Sequence, residues 1–266
     1  MKDSIGVFDS GIGGLTVLKE IRKRLPTENL IYLGDTARVP YGTKSPETVI
    51  RYTLRNTEFL VSKGVKAIVI ACNTASAYGL SEVSKHFDIP ILGVITPGAL
   101  SAVKATKNNQ VGVIGTEGTI ASLAYQKEIQ KLNSHITTHT QSCPLLVGLA
   151  EEGRIEGEIV ELVIKTYLEP LKPQTIDTLI LGCTHYPLFK KMFQKILGNQ
   201  VTLIDSAVEV ASNLEELLVK RGLKGRGSEK GEVGFYSTDA PNRMEKIGPQ
   251  FFCESMTKVH QIEITF

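Results

Sequence analysis

Short β-branched runs alternate with longer amphipathic stretches along most of this chain, and the whole alternation is stated twice. Each run closes on glycine or polar residues before a helical pattern begins, the signature of βα units on a mostly parallel sheet. The runs predict strands near 5–9, 30–34, 66–71 and 90–95, and again near 111–115, 135–140, 177–182 and 200–205. Between them the periodicity predicts helices near 13–25, 46–63, 75–86, 98–106, 118–132, 155–169, 186–197 and 207–221.

The second statement echoes the first in its residues as well as its rhythm. "IGVFDSGIGGLTVLKEI" (5–21) matches "VGVIGTEGTIASLAYQKEI" (111–129) in its strand, its glycine-bearing turn and a helix ending in Lys-Glu-Ile, at an offset of 106. "IVIACNTAS" (68–76) and "LILGCTHYP" (179–187) each end an apolar run on a cysteine, at an offset of 111. "LGVIT" before Pro97 is answered by "VTLID" before Ser206. A duplicated half accounts for all three echoes.

At 266 residues the chain is long enough for two such halves. The expected fold is α/β: two similar domains with mostly parallel sheets flanked by helices, related by a pseudo-twofold axis, with the active site in the cleft between them. After residue 207 there remain a helix, a basic glycine-rich loop "VKRGLKGRGSEKGE" (219–232), a strand-like "GEVGFYS" (231–237) and an alternating "QIEITF" (261–266). That tail is too small to bury a core of its own and is expected to pack on the first half. The expected domains are therefore 1–96 plus 208–266, and 97–207, with crossings near Pro97 and Ser206 that form a hinge.

A formal charge of +2 is too small to mark a nucleic-acid or membrane-surface footprint, and the basic loop reads as solvated surface. No apolar run approaches the ~20 residues needed to span a bilayer. The N-terminal "MKDSIGVFDS" lacks the apolar centre of a signal peptide, so a cytoplasmic protein is expected. Its expected partners are a small-molecule substrate and a second copy of itself in a homodimer, with no nucleic acid and no membrane. Cofactor signatures are missing: "GIGG" at 11–14 is not G-x-G-x-x-G, and neither a Walker lysine nor a pyridoxal-phosphate lysine context occurs.

Four cysteines, Cys72, Cys143, Cys183 and Cys253, lack C-x-x-C spacing and are expected to be free thiols. Cys253, after two phenylalanines, reads as a small buried hydrophobe, and Cys143 before Pro144 as packing. A metal site built from Cys143, Cys183 and His185 lacks a fourth ligand, so no metal is expected.

Ligands of open parallel sheets lie beyond the carboxyl ends of the strands. The polar residues there are Asp9 and Ser10, Asp35 through Gly42, Cys72 with Asn73 and Thr74, Thr96, Thr116, Cys183 with Thr184 and His185, and Asp205. If the halves face each other, Cys72 and Cys183 approach one cleft from opposite sides. Two thiols so placed suit a reaction that takes a proton from one face of a carbon and returns one to the other, inverting a stereocentre. A free thiol titrates near ~8.5, close enough to working pH to serve as acid or base. Asp9 beside Cys72 and His185 beside Cys183 are the candidates for holding one sulfur charged and the other neutral. The turns at 9–11, 41–42, 73–74 and 184–185 offer amides and hydroxyls for a substrate carboxylate. Taken singly, these residues have plainer readings. "DSGIGG" can be a tight turn with Ser10 as a helix cap, "GDTARVPYG" a loop stiffened by Pro40 with Arg38 on Asp35, and His185 a core histidine.

Four segments together, "GVFDSGIGGLTVL", "YLGDTARVPYG", "ACNTASA" and "GCTHYPL", resemble the signature segments of the glutamate racemase family, in the same order and over nearly the whole chain. The resemblance implies cofactor-independent interconversion of L- and D-glutamate, serving bacterial peptidoglycan, on a fold of two similar α/β domains. It implies Cys72 and Cys183 as the catalytic bases, assisted by Asp9 and His185. It also implies Asp9, Ser10, Tyr41, Gly42, Asn73, Thr74, Thr184 and His185 as substrate contacts, and Glu151 in "CPLLVGLAEEG" (143–153) as an acidic assistant. Gly148 and Ala150 stand where the family pattern has proline and valine. Two rival functions remain open at this stage: a racemase for aspartate or a broader range of amino acids, and a non-catalytic module that senses an amino acid.

Overall fold

The computed structural model describes residues 3–225, 227–256 and 258–265. Arg226 of the basic loop and Phe266 of the final alternating segment lie outside the described residues. Among the described residues there are ten strands: β1 (Ile5–Asp9), β2 (Leu30–Gly34), β3 (Ala67–Ile70), β4 (Ile91–Gly93), β5 (Gln110–Gly115), β6 (Thr137–Ser142), β7 (Thr178–Gly182), β8 (Thr202–Ile204), β9 (Val233–Ser237) and β10 (Val259–Gln261). They form two parallel sheets flanked by helices, in the orders β10-β9-β2-β1-β3-β4 and β6-β5-β7-β8. The block β2-β1-β3-β4 is repeated strand for strand as β6-β5-β7-β8, which gives the sequence echoes a common topology.

Both faces of each sheet are covered, because the strand order reverses direction within each block and a crossover of fixed hand then puts its helix on the other face. Side chains alternate along a strand, so Ile5 and Val7 of β1 enter the large core that runs between the two sheets, while Phe8 enters the opposite face with Ile68 and Ile70. In the second sheet Leu179 and Leu181 join the shared core, and Ile180 packs with Val111, Val113 and Tyr125 on the far side. The tail packs on the first sheet: β9 extends it beside β2, and β10 follows as the edge. Within the basic loop, Lys224 pairs with Glu215 and Lys230 with Glu254, and the Gly225 N–H is held by Glu28.

Several local expectations are corrected. The helix expected over 118–132 is two, Glu117–Ala121 and Ala124–Leu132, because Leu123 adopts a left-handed φ of 58°. The stretch 186–197 starts with a 3₁₀ turn, Tyr186–Phe189, before the helix Lys190–Leu197. Helices Leu145–Glu151 and Pro241–Phe252 were not anticipated. The first is shorter than the window in which periodicity is legible, and the second carries an internal Pro249. Cys253 is exposed rather than buried, because it sits at φ 60° where that last helix turns outward. Ser10 does not cap the following helix; Gly14 holds the cap position without a side-chain bond. Among the described residues no helix is long and apolar enough to cross a membrane.

Candidate active site

The register places the cysteines equivalently. Phe8 is level with Ile70 and Gly115 with Gly182, so Ser10 lies beside Cys72, and Thr116 beside Cys183, just beyond the carboxyl ends of the two sheets. The sulfur of Cys72 serves as N-cap of the helix Asn73–His86, accepting from the Ala75 N–H at 3.5 Å and donating to Ser10 Oγ at 3.7 Å. Both cysteines line one cavity, together with Ser10, Tyr41, Gly42, Asn73, Thr74, Thr184 and His185. Thr116 and the apolar walls Val39, Pro40 and Val147 complete it.

The groups beside the two sulfurs are not duplicated. In the repeat, the position of Asp9 is taken by Gly115, and that of His185 by Thr74. Asp9 is fully buried behind the cavity, its carboxylate accepting from the Gly11 N–H at 2.9 Å and from Thr184 Oγ1 at 3.2 Å. It therefore ties the end of the first sheet to the Cys183 loop of the second. Burial raises the Asp9 carboxyl, against the opposing charge of His185. Burial and then the negative charge of Asp9 push the Cys72 thiol up to about 12.

On the other side His185 Nδ1 lies 3.7 Å from Cys183 Sγ, and its Nε2 lies 3.3 Å from Glu151 Oε1. Burial pulls the imidazole down, but hydrogen bonds to Cys183 and Glu151 and the charge of Asp9 outweigh it, so His185 is pushed up to about 10. Burial raises Glu151, yet its bond to His185 and the nearby Arg243 cation hold it below the usual range. The cationic end of the cleft is thus at His185, and the desolvated, anion-repelling end is at Cys72. Glu151 itself stands in the adjoining vestibule, lined also by Pro144, Val147 and Gly148. Gly148 has open space where a Cβ would be.

Ionised His185 and Glu151 stabilise each other only while both are charged, which fixes a pH window. The raised histidine contributes fully below its ordinary 6.5 and loses that contribution as pH rises through about 10. The depressed carboxylate contributes above 4.5 and loses it as pH falls through its lowered value. The unfolding midpoint of wild type minus that of Glu151→Gln should be greatest between those two ordinary values and fade towards alkaline pH. A difference that stays flat from neutral pH to beyond 10 would show that the pair does not carry charge.

Several residues expected at strand ends have structural duties. Asp35 accepts from Arg38, from Tyr41 Oη and from Thr238 Oγ1, so Arg38 does pair with Asp35, and the Tyr41 ring is held by its hydroxyl. Asp205 caps the helix Ser206–Lys220 and pairs with Lys190 at 2.7 Å; Thr96 is exposed. Other contributors were not legible. Thr119 joins Thr74 and Thr116 in a triad of hydroxyls within 3.0 Å of one another, Tyr125 bonds Asn73, and Arg243 reaches the Glu151 carbonyl at 3.3 Å. Each links elements distant in sequence. No group of three or more His, Cys, Asp or Glu side chains among the described residues is arranged to hold a metal.

Residues 5–214 match the family model described as Asp/Glu/Hydantoin racemase. The chain belongs to the Asp/Glu/hydantoin racemase family. It is an amino-acid racemase, and the resemblance within the family is to glutamate racemases. The glutamate racemase of Geobacter metallireducens is 49% identical, over 98% of this chain and 97% of that protein. A crystal structure of the Francisella tularensis glutamate racemase in complex with D-glutamate superposes with a TM-score of 0.93 at 42% identity, covering 99% of this chain and 98% of that one. A Bacillus anthracis glutamate racemase isoform gives a TM-score of 0.95 at 40% identity, covering 98% of each chain.

Proposed function

We propose that this racemase interconverts L- and D-glutamate without a cofactor, using Cys72 and Cys183 as opposed bases, and that it supplies D-glutamate for bacterial peptidoglycan. The observation that carries the reading is that both thiols line a single cavity from equivalent strand ends. One sulfur, as thiolate, takes the α-proton as the Cα–H bond breaks. The electron pair left on Cα spreads into the α-carboxylate, and the opposite thiol then delivers its proton to the other face. The thiol and thiolate have changed places, so the reverse reaction starts from the state the forward one leaves. His185 favours charge at the Cys183 end, while burial keeps the Cys72 end protonated at the start. The substrate's α-ammonium, a positive charge attached to Cα, favours the thiolate that must form next.

The cavity leaves about 20 Å³ of room for the centre of a water molecule, space for about one water and far less than an amino acid needs. To admit substrate, the two lobes, 1–96 plus 208–266 and 97–207, part about the crossings near Pro97 and Ser206, which enlarges this cavity and the vestibule of about 180 Å³ beside it. Reclosure dries the site for carbanion chemistry.

Purified protein incubated with L-glutamate alone in deuterated buffer should lose optical rotation, and the D-glutamate formed should carry α-deuterium. No change in rotation would defeat the reading and favour a binding module. A faster rate on aspartate in the same assay would move the substrate assignment to the shorter amino acid.

A further inference from the structure

Asn73 lines the cavity next to Cys72, at the first turn of its helix. An asparagine side chain offers one acceptor oxygen and an NH₂ with two donors, and only the NH₂ can serve a substrate carboxylate. A freely rotating amide presents the wrong end half the time, with its oxygen facing an anion.

Across the cleft, Tyr125 projects from the helix Ala124–Leu132 and its Oη donates to Asn73 Oδ1 at 2.7 Å. The ring is 1% exposed and fits a slot floored by glycines: a Cβ on Gly98 would lie 3.1 Å from the Tyr125 ring and hydroxyl, and a Cβ on Gly182 would lie 3.2 Å from the ring. Ser206 is the hydroxyl's other neighbour. Asn73 Oδ1 is thereby occupied, and Asn73 Nδ2 bonds no other described residue, which leaves both of its N–H groups for the cavity.

We propose that Tyr125 is a positioning residue that locks the Asn73 amide with its NH₂ towards the cleft, where it donates to a carboxylate of the amino-acid substrate. The inference rests on the racemase reading above and adds a residue that touches no substrate. Because Tyr125 comes from the second sheet's lobe and Asn73 from the first, the lock forms only when the lobes are closed on each other. The donor is therefore set at the moment the substrate is sequestered.

The test is a double-mutant cycle of Tyr125→Phe and Asn73→Ala, with wild-type turnover of L-glutamate measured in the same series. Phenylalanine keeps the ring in its slot and removes only the hydroxyl. Tyr125→Phe should raise KM for glutamate by about tenfold, the worth of one charge-assisted hydrogen bond, with kcat changed much less. On the Asn73→Ala background the same change should have no further effect on KM. Thermal unfolding of each variant separates loss of the lock from loss of the fold. An unchanged KM in a folded Tyr125→Phe, or a full tenfold effect persisting without Asn73, overturns the proposal. If wild type turns over glutamate and Asn73→Ala is crippled while Tyr125→Phe is not, the inference about Tyr125 fails and the racemase reading stands. If wild type itself shows no turnover, the racemase reading fails first.

Discussion

Cys72→Ser and Cys183→Ser should each lower the rate of racemisation by on the order of 10²–10⁴-fold, the usual worth of a positioned acid or base. A serine hydroxyl keeps roughly the shape of the thiol but does not ionise near working pH, so one half of the proton relay is lost while the cleft is retained. The partial reactions should be complementary. In each variant the surviving sulfur can still take the α-proton that faces it and return deuterium from solvent to the same face. Cys72→Ser should therefore exchange the α-hydrogen of one enantiomer only, and Cys183→Ser that of the other. Proton NMR of each glutamate enantiomer in deuterated buffer reads this directly. Full racemisation by either variant, or exchange of the same enantiomer by both, would mean that the sulfurs do not stand on opposite faces of the substrate.

The second large effect is expected at Gly13, and its cause is steric. This glycine has an ordinary φ, so its turn does not demand glycine; the close approach of the other lobe does. A Cβ there would lie 2.5 Å from the His185 ring and closer still to Thr184 Oγ1. Both neighbours are buried and hydrogen-bonded, His185 to Glu151 and Cys183 and Thr184 to Asp9, so neither can simply swing away. Gly13→Ala should destabilise the protein by ~1–3 kcal/mol, as overpacking of a filled core does. Its effect on turnover should be larger, on the order of 10²-fold, since a shift of ~1 Å at the Cys183 side misaligns the relay. Denaturant unfolding and kcat/KM on glutamate, measured together, check both. A Gly13→Ala protein with wild-type turnover would show that the lobes have slack at this contact.

How much of this was legible from residues alone differs by element. The eight strands of the repeat were placed to within a few residues, because buried parallel strands are near-continuous apolar runs that end sharply on glycine. β6 is the instructive case: its "TTHTQS" is polar and half-exposed at a sheet edge, and its position fell two residues later than expected. The helix Leu145–Glu151, which carries Glu151, gave no periodic signal at seven residues. The strand-end residues of the cleft were legible because topology alone sends ligands to that end of a parallel sheet. Thr119, Tyr125 and Arg243 were not, since each acts on a partner far along the chain.

By itself the sequence determined the two sets of βα units, their equivalence, and the presence of a thiol at the same place in each, because hydrophobic period and turn chemistry are local properties. Only the tertiary structure decided that the two thiols share one cavity, that Asp9 and Tyr125 each reach across to the opposite lobe, and that Glu151 meets His185 from 34 residues away within its own. Those relations depend on how one sheet packs against another. That packing is set by many weak contacts among residues far apart in the chain, and no short stretch of residues encodes it.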